Sequence, residues 1–195
     1  MNYIVINPDS IILNDKVIDI DHNSGISMLL HIYKSRNLSY PKFYKMDHLS
    51  QLGYIAAQLL LENQNISTHD AMAIVAVGRS GSLATDIQYH KTIETEQDYF
   101  PSPALFVYTL ANIVTGEIAI RHKIYGETSS FLIEDYDASL ITTLLLTSFQ
   151  DNEIETVTGG WIEWVDESHF SLRFITADRS TPHDDITEFF TKYNL

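Results

Sequence analysis

The stretch Met72-Ala73-Ile74-Val75-Ala76-Val77-Gly78-Arg79-Ser80-Gly81-Ser82 decides the fold class of this chain. Its first six residues are all apolar, and a short apolar run bounded by turn residues is typical of a β-strand buried on both faces. Strands of this kind occur in sheets that are covered by helices on both sides. The following glycine- and serine-containing segment, Gly78 to Ser82, predicts a turn at the carboxyl end of this strand.

Strand and helix patterns alternate on both sides of this run. Upstream, Asp47 is a predicted N-cap, because apolar residues at helical spacing follow it. Downstream, the pattern predicts a long helix over 104–122, a strand over Ser129–Ile133, a helix over 137–149 and a strand over 154–158 that ends at Gly159-Gly160. Short strands are also predicted at Tyr3–Ile6, Ser10–Leu13 and 16–20, and a helix is predicted at Asp184–Tyr193. A final strand pair is predicted at Trp161–Val165 and Phe170–Thr176. The first strand of this pair places Trp161 and Trp164 on opposite faces. This alternation predicts a layered α/β fold in a single domain over residues 1–195.

Composition excludes several classes of function. The chain has 195 residues, of which 45% are hydrophobic, and 26 acidic against 12 basic side chains give it a net charge of −14. Such a charge argues against a nucleic-acid partner held by phosphate contacts. The sequence contains no cysteine, which excludes disulfides, thiolate–metal sites and a thiol nucleophile. The eight histidines are scattered without metal-binding spacing, so we expect no metal and no cofactor.

The sequence also gives expectations about location. No apolar run approaches the roughly 20 residues that a membrane-spanning helix needs. The N-terminal segment lacks the basic and apolar regions of a signal peptide. We therefore expect a cytoplasmic protein without a membrane partner.

The ordered elements between residues 46 and 160 resemble the N-terminal half of the β-ketoacyl synthases, which belong to the thiolase superfamily. Each matching motif is short, and the resemblance depends on their order and spacing. The motifs are Met46-Asp47-His48-Leu49-Ser50 opening an alanine-containing helix, Ala73–Gly78 with Ser80-Gly81-Ser82, Phe100-Pro101-Ser102-Pro103-Ala104 opening a helix, Lys123-Ile124-Tyr125-Gly126, and Val157-Thr158-Gly159-Gly160. The resemblance implies a thiolase-like layered fold with a mixed five-stranded sheet, equivalent to half of a full synthase.

The chain departs from this family at the nucleophilic cysteine. Counting forward from Gly126 to the family's cysteine position leads to Asp135, and counting back from the paired glycines leads to Glu134. The part of the family that supplies the catalytic histidines and lysine has no counterpart in this sequence. Condensation needs a thiolate to accept the acyl group and donors to stabilise the enolate. The resemblance therefore implies a degenerate, non-condensing relative.

Two functional hypotheses follow from the resemblance. The first is a partner or chain-length-factor-like subunit in fatty-acid, polyketide or aryl-polyene biosynthesis. Such a subunit pairs with a full-length ketosynthase or with itself, and an acyl carrier protein is a further candidate partner through that complex. The family dimerises through the strand before the nucleophile, which here comprises Ser129, Ser130, Phe131, Leu132 and Ile133. The second is an enzyme of altered chemistry, such as malonyl-carrier decarboxylation or acyl transfer. An unrelated α/β protein is the remaining alternative.

Three local questions stay open at the level of sequence. Arg79 and Ser80 are candidates for holding an anion, although a turn that requires small residues explains the same segment. The carboxylates of Asp135 and Asp137 either interact with the dipole of the following helix or contact a partner. The apolar side chains of the predicted helix 104–122 need a cover, which is either the segment 166–195 or a second chain.

Overall fold

The apolar run that decides the fold forms an inner strand of a seven-stranded mixed sheet. The computed structural model describes residues 1–20, 27–62, 71–97 and 99–194. The strands are β1 (Asn2–Asn7), β2 (Ser10–Leu13), β3 (Lys16–Ile18), β4 (Met72–Gly78), β5 (Thr128–Leu132), β6 (Thr156–Asp166) and β7 (His169–Asp178). Their order is β3-β2-β1-β7-β6-β4-β5, with β4 parallel to β5 and β6 and all other pairs antiparallel.

The sheet has seven strands where the sequence predicted five. The difference comes from the N-terminal strands, because β1 pairs with β7 and carries β2 and β3 into the same sheet. Ile4, Val5 and Ile6 are all buried in β1, so this strand is an inner strand of the sheet. The α/β class and the mixed sheet are confirmed.

Helices cover both faces of the sheet, and the two faces have separate cores. The helices are α1 (Met28–Ser35), α2 (His48–Leu61), α3 (Leu83–Lys91), α4 (Pro103–Val107), α5 (Ile113–His122), α6 (Ala138–Thr147) and α7 (His183–Lys192). Residues of α1, α2 and α5 form the core on one face, and residues of α6 and α7 form the core on the other. Trp161 and Trp164 lie in different cores, which confirms their predicted placement on opposite faces, and both are buried. In the described part of the chain, no helix combines the length and the apolar character needed to cross a membrane.

The predicted long helix over 104–122 is two helices, α4 and α5, joined by a turn. The turn forms because distant side chains bind its carbonyl groups. The hydroxyl of Ser82 donates to the carbonyl of Thr109 at 2.7 Å, and the hydroxyl of Ser130 donates to the carbonyl of Ala111 at 3.1 Å. No local pattern in the sequence indicates these two contacts.

Val114 and Ile118 of this region are covered by α2, which was neither of the two covers that the sequence predicted. Val114 and Ile118 of α5 are at most 1% exposed, because α5 packs closely against α2. A Cβ atom at Gly53 of α2 would lie only 2.5 Å from Cγ2 of Val114. Glycine at this position therefore allows the two helices to approach.

The paired glycines do not end a strand as predicted, because β6 runs through them without interruption. Gly159 and Gly160 have φ angles of +151° and +140°, which side chains rarely allow. A Cβ atom at Gly159 would lie 1.8 Å from the carbonyl oxygen of Val75, and one at Gly160 would lie 2.2 Å from that of Arg173. The glycines therefore let the neighbouring strands β4 and β7 approach β6.

The helix between the strands over 129–133 and 154–158 predicts that they are parallel neighbours joined by a right-handed crossover, and this prediction is wrong. Both strands are parallel to β4, but β4 lies between them. The uniformly buried run of β4 explains this order, because a strand without a polar face fits an inner position of the sheet. The consequence is that β5 forms one edge of the sheet.

Candidate functional site

Two loops meet where the parallel strands β4 and β5 end. Parallel neighbours place their carboxyl ends at the same edge of a sheet, so the loop 78–82 lies beside the loop 133–137. Nη1 of Arg79 lies 4.0 Å from Oδ1 of Asp135, and these side chains are 68% and 84% exposed. The structure therefore brings two of the predicted site residues together, in a solvent-exposed pair of the kind that contributes little to stability.

A carboxylate from β6 organises the loop after β4. Glu163 accepts a hydrogen bond from the backbone N–H of Arg79 at 2.8 Å and from the backbone N–H of Ser80 at 3.2 Å. The hydroxyl of Ser80 also donates to this carboxylate. Gly78 allows the approach, because a Cβ atom there would lie 2.5 Å from the carbonyl oxygen of Ile162.

Glu163 is the residue of this site that sequence reasoning missed, because it lies far along the chain from the loop that it binds. Its contacts bear directly on the two candidates for anion binding. The backbone donors of Arg79 and Ser80 already bind a carboxylate of the same chain, while the guanidinium of Arg79 remains exposed. The loop therefore already binds an anionic group, which is the side chain of Glu163 in the same chain.

The surroundings of Ser80 differ from those of an activated nucleophile. The hydroxyl of Ser80 has a carboxylate beside it, as an activated serine has a base. An acyl transfer also needs free N–H donors for the developing oxyanion. The N–H groups of Arg79 and Ser80 bind Glu163 itself, so these two groups are not free to stabilise an oxyanion.

The two carboxylates at the family's nucleophile position lie on an exposed loop. Glu134 and Asp135 are both solvent-exposed, between the end of β5 and the start of α6. Asp137 is the N-cap of α6, and its side chain accepts a hydrogen bond from the N–H of Leu140 at 2.9 Å. Asp137 therefore has the helix-terminal role that the sequence suggested, whereas Asp135 faces solvent beside Arg79.

A groove of about 690 Å³ lies between the loop after β4 and the hairpin of β6 and β7. Its apolar part includes the buried Trp161 and Phe170 and the exposed Leu83 and Val165. The other lining residues are Arg79, Ser80, Glu163, His169 and Ser171. The indole N–H of Trp161 donates to the hydroxyl of Ser171 at 3.1 Å. An apolar groove with a few fixed polar groups is typical of small-molecule binding sites and active sites alike.

His169 is the histidine that lines this groove, and a nearby carboxylate holds it. Nδ1 of His169 lies 2.8 Å from Oδ1 of Asp166, across the turn of the hairpin. The pKa of Asp166 is lowered because its carboxylate accepts hydrogen bonds from the N–H of Ser168 and from His169. His169 is thus part of the hairpin turn. Among the described residues, no three histidine or carboxylate side chains are grouped in a way that would hold a metal ion.

The open side of β5 forms the second feature of this region. Thr128 and Leu132 are exposed, Ser129, Ser130 and Phe131 are half-buried, and no other strand of the described chain pairs with this edge. A Cβ atom at Gly81 would lie 3.1 Å from Leu132 and 3.3 Å from Ala111, so the loop before α3 and the turn after α4 meet near the end of β5. These helices expose large apolar side chains, namely Leu83, Ile87, Phe106 and Val107, and Leu110 follows α4. We call β5 together with these five side chains the edge face.

Comparisons with known proteins identify the fold. No family model matches this chain, and no curated protein matches its sequence. Among solved structures, the chain is similar to the ishigamide ketosynthase/chain length factor, with a TM-score of 0.70 and 15% identity over 92% of this chain and 61% of the matched chain. It is also similar to a structure of a ketosynthase in complex with its chain length factor from Xenorhabdus doucetiae, with a TM-score of 0.64 and 13% identity over 92% of this chain and 78% of the matched one.

These similarities extend over almost the whole chain, and they settle the architecture. The chain spans about three fifths of the length of the first matched chain. Because the identities are low, the likeness concerns the backbone arrangement. The chain has the α/β fold with a mixed sheet that is found in ketosynthase and chain-length-factor structures.

Proposed function

We propose that this protein is a non-condensing, chain-length-factor-like subunit that pairs with a full-length ketosynthase through the open edge of β5. The observation that carries the proposal is this edge strand with exposed apolar side chains beside it. The setting we propose is fatty-acid, polyketide or aryl-polyene biosynthesis, and an acyl carrier protein would meet this chain within the complex.

The chemistry of the site supports a non-condensing role. A ketosynthase needs a nucleophile that forms a thioester and donors that stabilise its oxyanion. Here the loop after β5 carries exposed carboxylates, the sequence contains no cysteine, and the N–H groups of Arg79 and Ser80 in the neighbouring loop bind Glu163. These features also argue against thioester decarboxylation or acyl transfer by this chain alone.

The edge strand supports a protein partner. An unpaired edge with exposed apolar neighbours is a template for strand addition, and natural proteins cover or disrupt such edges. The N–H of Ile133 and the carbonyl of Glu127 both bind β4. Since alternate residues of a strand point their backbone groups to opposite sides, Thr128, Ser130 and Leu132 direct theirs to the open edge.

Both solved structures to which the chain is similar are described as containing a ketosynthase and a chain length factor. The second match extends over 78% of its chain, so that most of that chain has a counterpart here. A chain that resembles these proteins and lacks a nucleophile fits the non-condensing member of such a pair.

The test uses two variants of Ser130, co-expressed with candidate ketosynthases encoded near this gene. Ser130→Pro removes one outward N–H and leaves the bonds to β4, whereas Ser130→Ala keeps that N–H and removes only the hydroxyl bond to Ala111. We expect the wild type and Ser130→Ala to co-purify with a ketosynthase at a defined mass, and Ser130→Pro to lose it. Equal complex formation by Ser130→Pro, or no complex with any such ketosynthase, would overturn the proposal.

A further inference from the structure

Acidic side chains lie at both ends of the open edge strand. Glu127 immediately precedes β5, and Glu134 and Asp135 follow it after one intervening residue. All three are exposed. Arg79 lies near Asp135, but within the described part of the chain neither Glu127 nor Glu134 has an ion-pair partner. Glu127 accepts a hydrogen bond from the hydroxyl of Ser129 at 2.5 Å, which holds its carboxylate near the strand.

These positions determine which strand fits beside β5. If a second copy paired antiparallel, Glu127 of one copy would come beside the Glu134 end of the other. If it paired parallel, Glu127 would meet Glu127 and Glu134 would meet Glu134. Like charges at adjacent cross-strand positions are destabilising, so both orientations are unfavourable for self-pairing.

We propose that the acidic ends of β5 exclude a second copy of this chain from the edge face and select a partner strand with basic side chains at its ends. This inference rests on the proposed function for the site and adds the chemistry of the partner. The net charge of the whole chain is −14, so it is negative like the charges at the two ends of β5. Two copies of the chain therefore also repel each other at long range. The exposed apolar side chains of the edge face supply the contact area, and the charges at its ends decide between partners.

The test does not need the natural partner. In the variant Glu127→Lys/Glu134→Lys, both ends of β5 become basic, so that its edge complements the wild-type edge. We expect the wild type and the variant to be monomeric when each is alone and to form a heterodimer when mixed at low ionic strength. Sedimentation equilibrium measures this, and mixed pairing should be at least roughly tenfold tighter than either self-pairing. Raising the salt from about 0.01 M to about 1 M should abolish the difference, because the screening length falls from about 30 Å to about 3 Å.

The matched control changes the same number of charges far from the edge face. Asp9→Lys/Asp19→Lys alters exposed carboxylates beside β1–β3, which lie at the opposite edge of the sheet. The inference is overturned if this control associates with the wild type as well as the edge variant does, if the wild type dimerises as tightly as the mixture, or if the mixture stays monomeric.

The natural partner then separates this inference from the proposed function. If a ketosynthase binds the wild type, the edge variant should bind it at least roughly tenfold more weakly at low salt, with the control variant unchanged. Equal binding by the edge variant would overturn the charge selection and leave the partner role standing. If no ketosynthase binds while the mixture dimerises, the proposed function fails and the charge selection stands.

Discussion

Glu163 shows how a single side chain changes the meaning of a motif. Read alone, Gly78 to Ser82 has the small residues and backbone donors of an anion-binding loop. In the folded chain these donors bind a carboxylate that lies on a different strand. This bond links β6 to the segment that follows β4, next to the groove. A residue of the same chain therefore holds the loop in place, and the loop forms part of the wall of the groove.

Removing this carboxylate should destabilise the protein. Glu163→Ala leaves two backbone N–H groups and the hydroxyl of Ser80 without their acceptor, and an intramolecular hydrogen bond contributes about 0.5–1.5 kcal/mol to stability. We expect the free energy of unfolding in urea to fall by at least about 1 kcal/mol, with a smaller fall for Glu163→Gln because the amide oxygen still accepts.

Glu167→Ala is the control for this experiment. Glu167 lies in the turn of the same hairpin and contacts His48 in an exposed pair at 3.3 Å. Exposed pairs contribute about 0–1 kcal/mol, so this variant should unfold almost like the wild type. If Glu163→Ala were as stable as Glu167→Ala, the loop would not depend on Glu163.

Asp47 gives a pH-dependent prediction. Burial raises the pKa of this carboxyl group, and hydrogen bonds from Ser50 and Thr85 oppose that rise. Because the folded state then binds the proton more strongly than the unfolded state, ionisation of Asp47 lowers stability as the pH rises through its pKa. Asparagine keeps the N-cap acceptor without the charge.

We therefore expect Asp47→Asn to be at least as stable as the wild type at pH 7, with the difference shrinking as the pH falls through the raised pKa of Asp47 and becoming constant below about pH 4. Asp47→Ala should lose about 0.5–2 kcal/mol at pH 7, since it removes the cap. Unfolding free energies measured across this pH range check both statements. A difference between Asp47→Asn and the wild type that grows toward low pH would contradict the assignment.

At the scale of elements, patterns confined to one segment were predictable and contacts between segments were not. The apolar run of β4, the N-cap at Asp47, and the hairpin of β6 and β7 follow from local chemistry, and the structure confirms them. The break between α4 and α5 depends on hydroxyl groups of Ser82 and Ser130, which lie elsewhere in the chain. The placement of Glu163 in the site has the same origin.

The paired glycines provide a prediction for β6. The sequence indicated a strand end, since glycine weakens strands, but the close approach of β4 and β7 requires glycine in mid-strand. Gly159→Ala places a methyl group against the carbonyl oxygen of Val75, and the backbone there must move. We expect this variant to lose several kcal/mol or to be insoluble, as severe overpacking costs about 1–3 kcal/mol or more.

Gly116→Ala is the matched control. Gly116 lies in α5, and a Cβ atom there has no neighbour within 4 Å. Alanine in a helix is favoured over glycine by about 0.8–1.0 kcal/mol, so this variant should melt at or above the temperature of the wild type. Comparable melting temperatures for Gly116→Ala and Gly159→Ala would show that β6 does not need its glycines.

At the scale of the whole molecule, both faces of the sheet have their own helices. One core contains α1, α2 and α5 and the other contains α6 and α7, so the fold does not need a second chain to bury Val114 or Ile118. The edge face is left uncovered in the described part of the chain. A partner therefore adds contacts to a chain that is already folded.

Because the two cores are complete within one chain and the edge face is uncovered, we can predict how the stability of the protein responds to its concentration and to a partner. An obligate dimer has a melting temperature that rises with protein concentration, whereas a folded monomer does not. We expect the melting temperature of the isolated chain to be independent of concentration in differential scanning calorimetry. A ketosynthase that binds only the folded chain should add about 2.7 kcal/mol when its free concentration is 100 times the dissociation constant. Ser130→Pro should melt without this shift, since it lacks the outward N–H through which the edge is proposed to pair. A melting temperature of the isolated chain that rises with concentration would instead show that the cores require a second subunit.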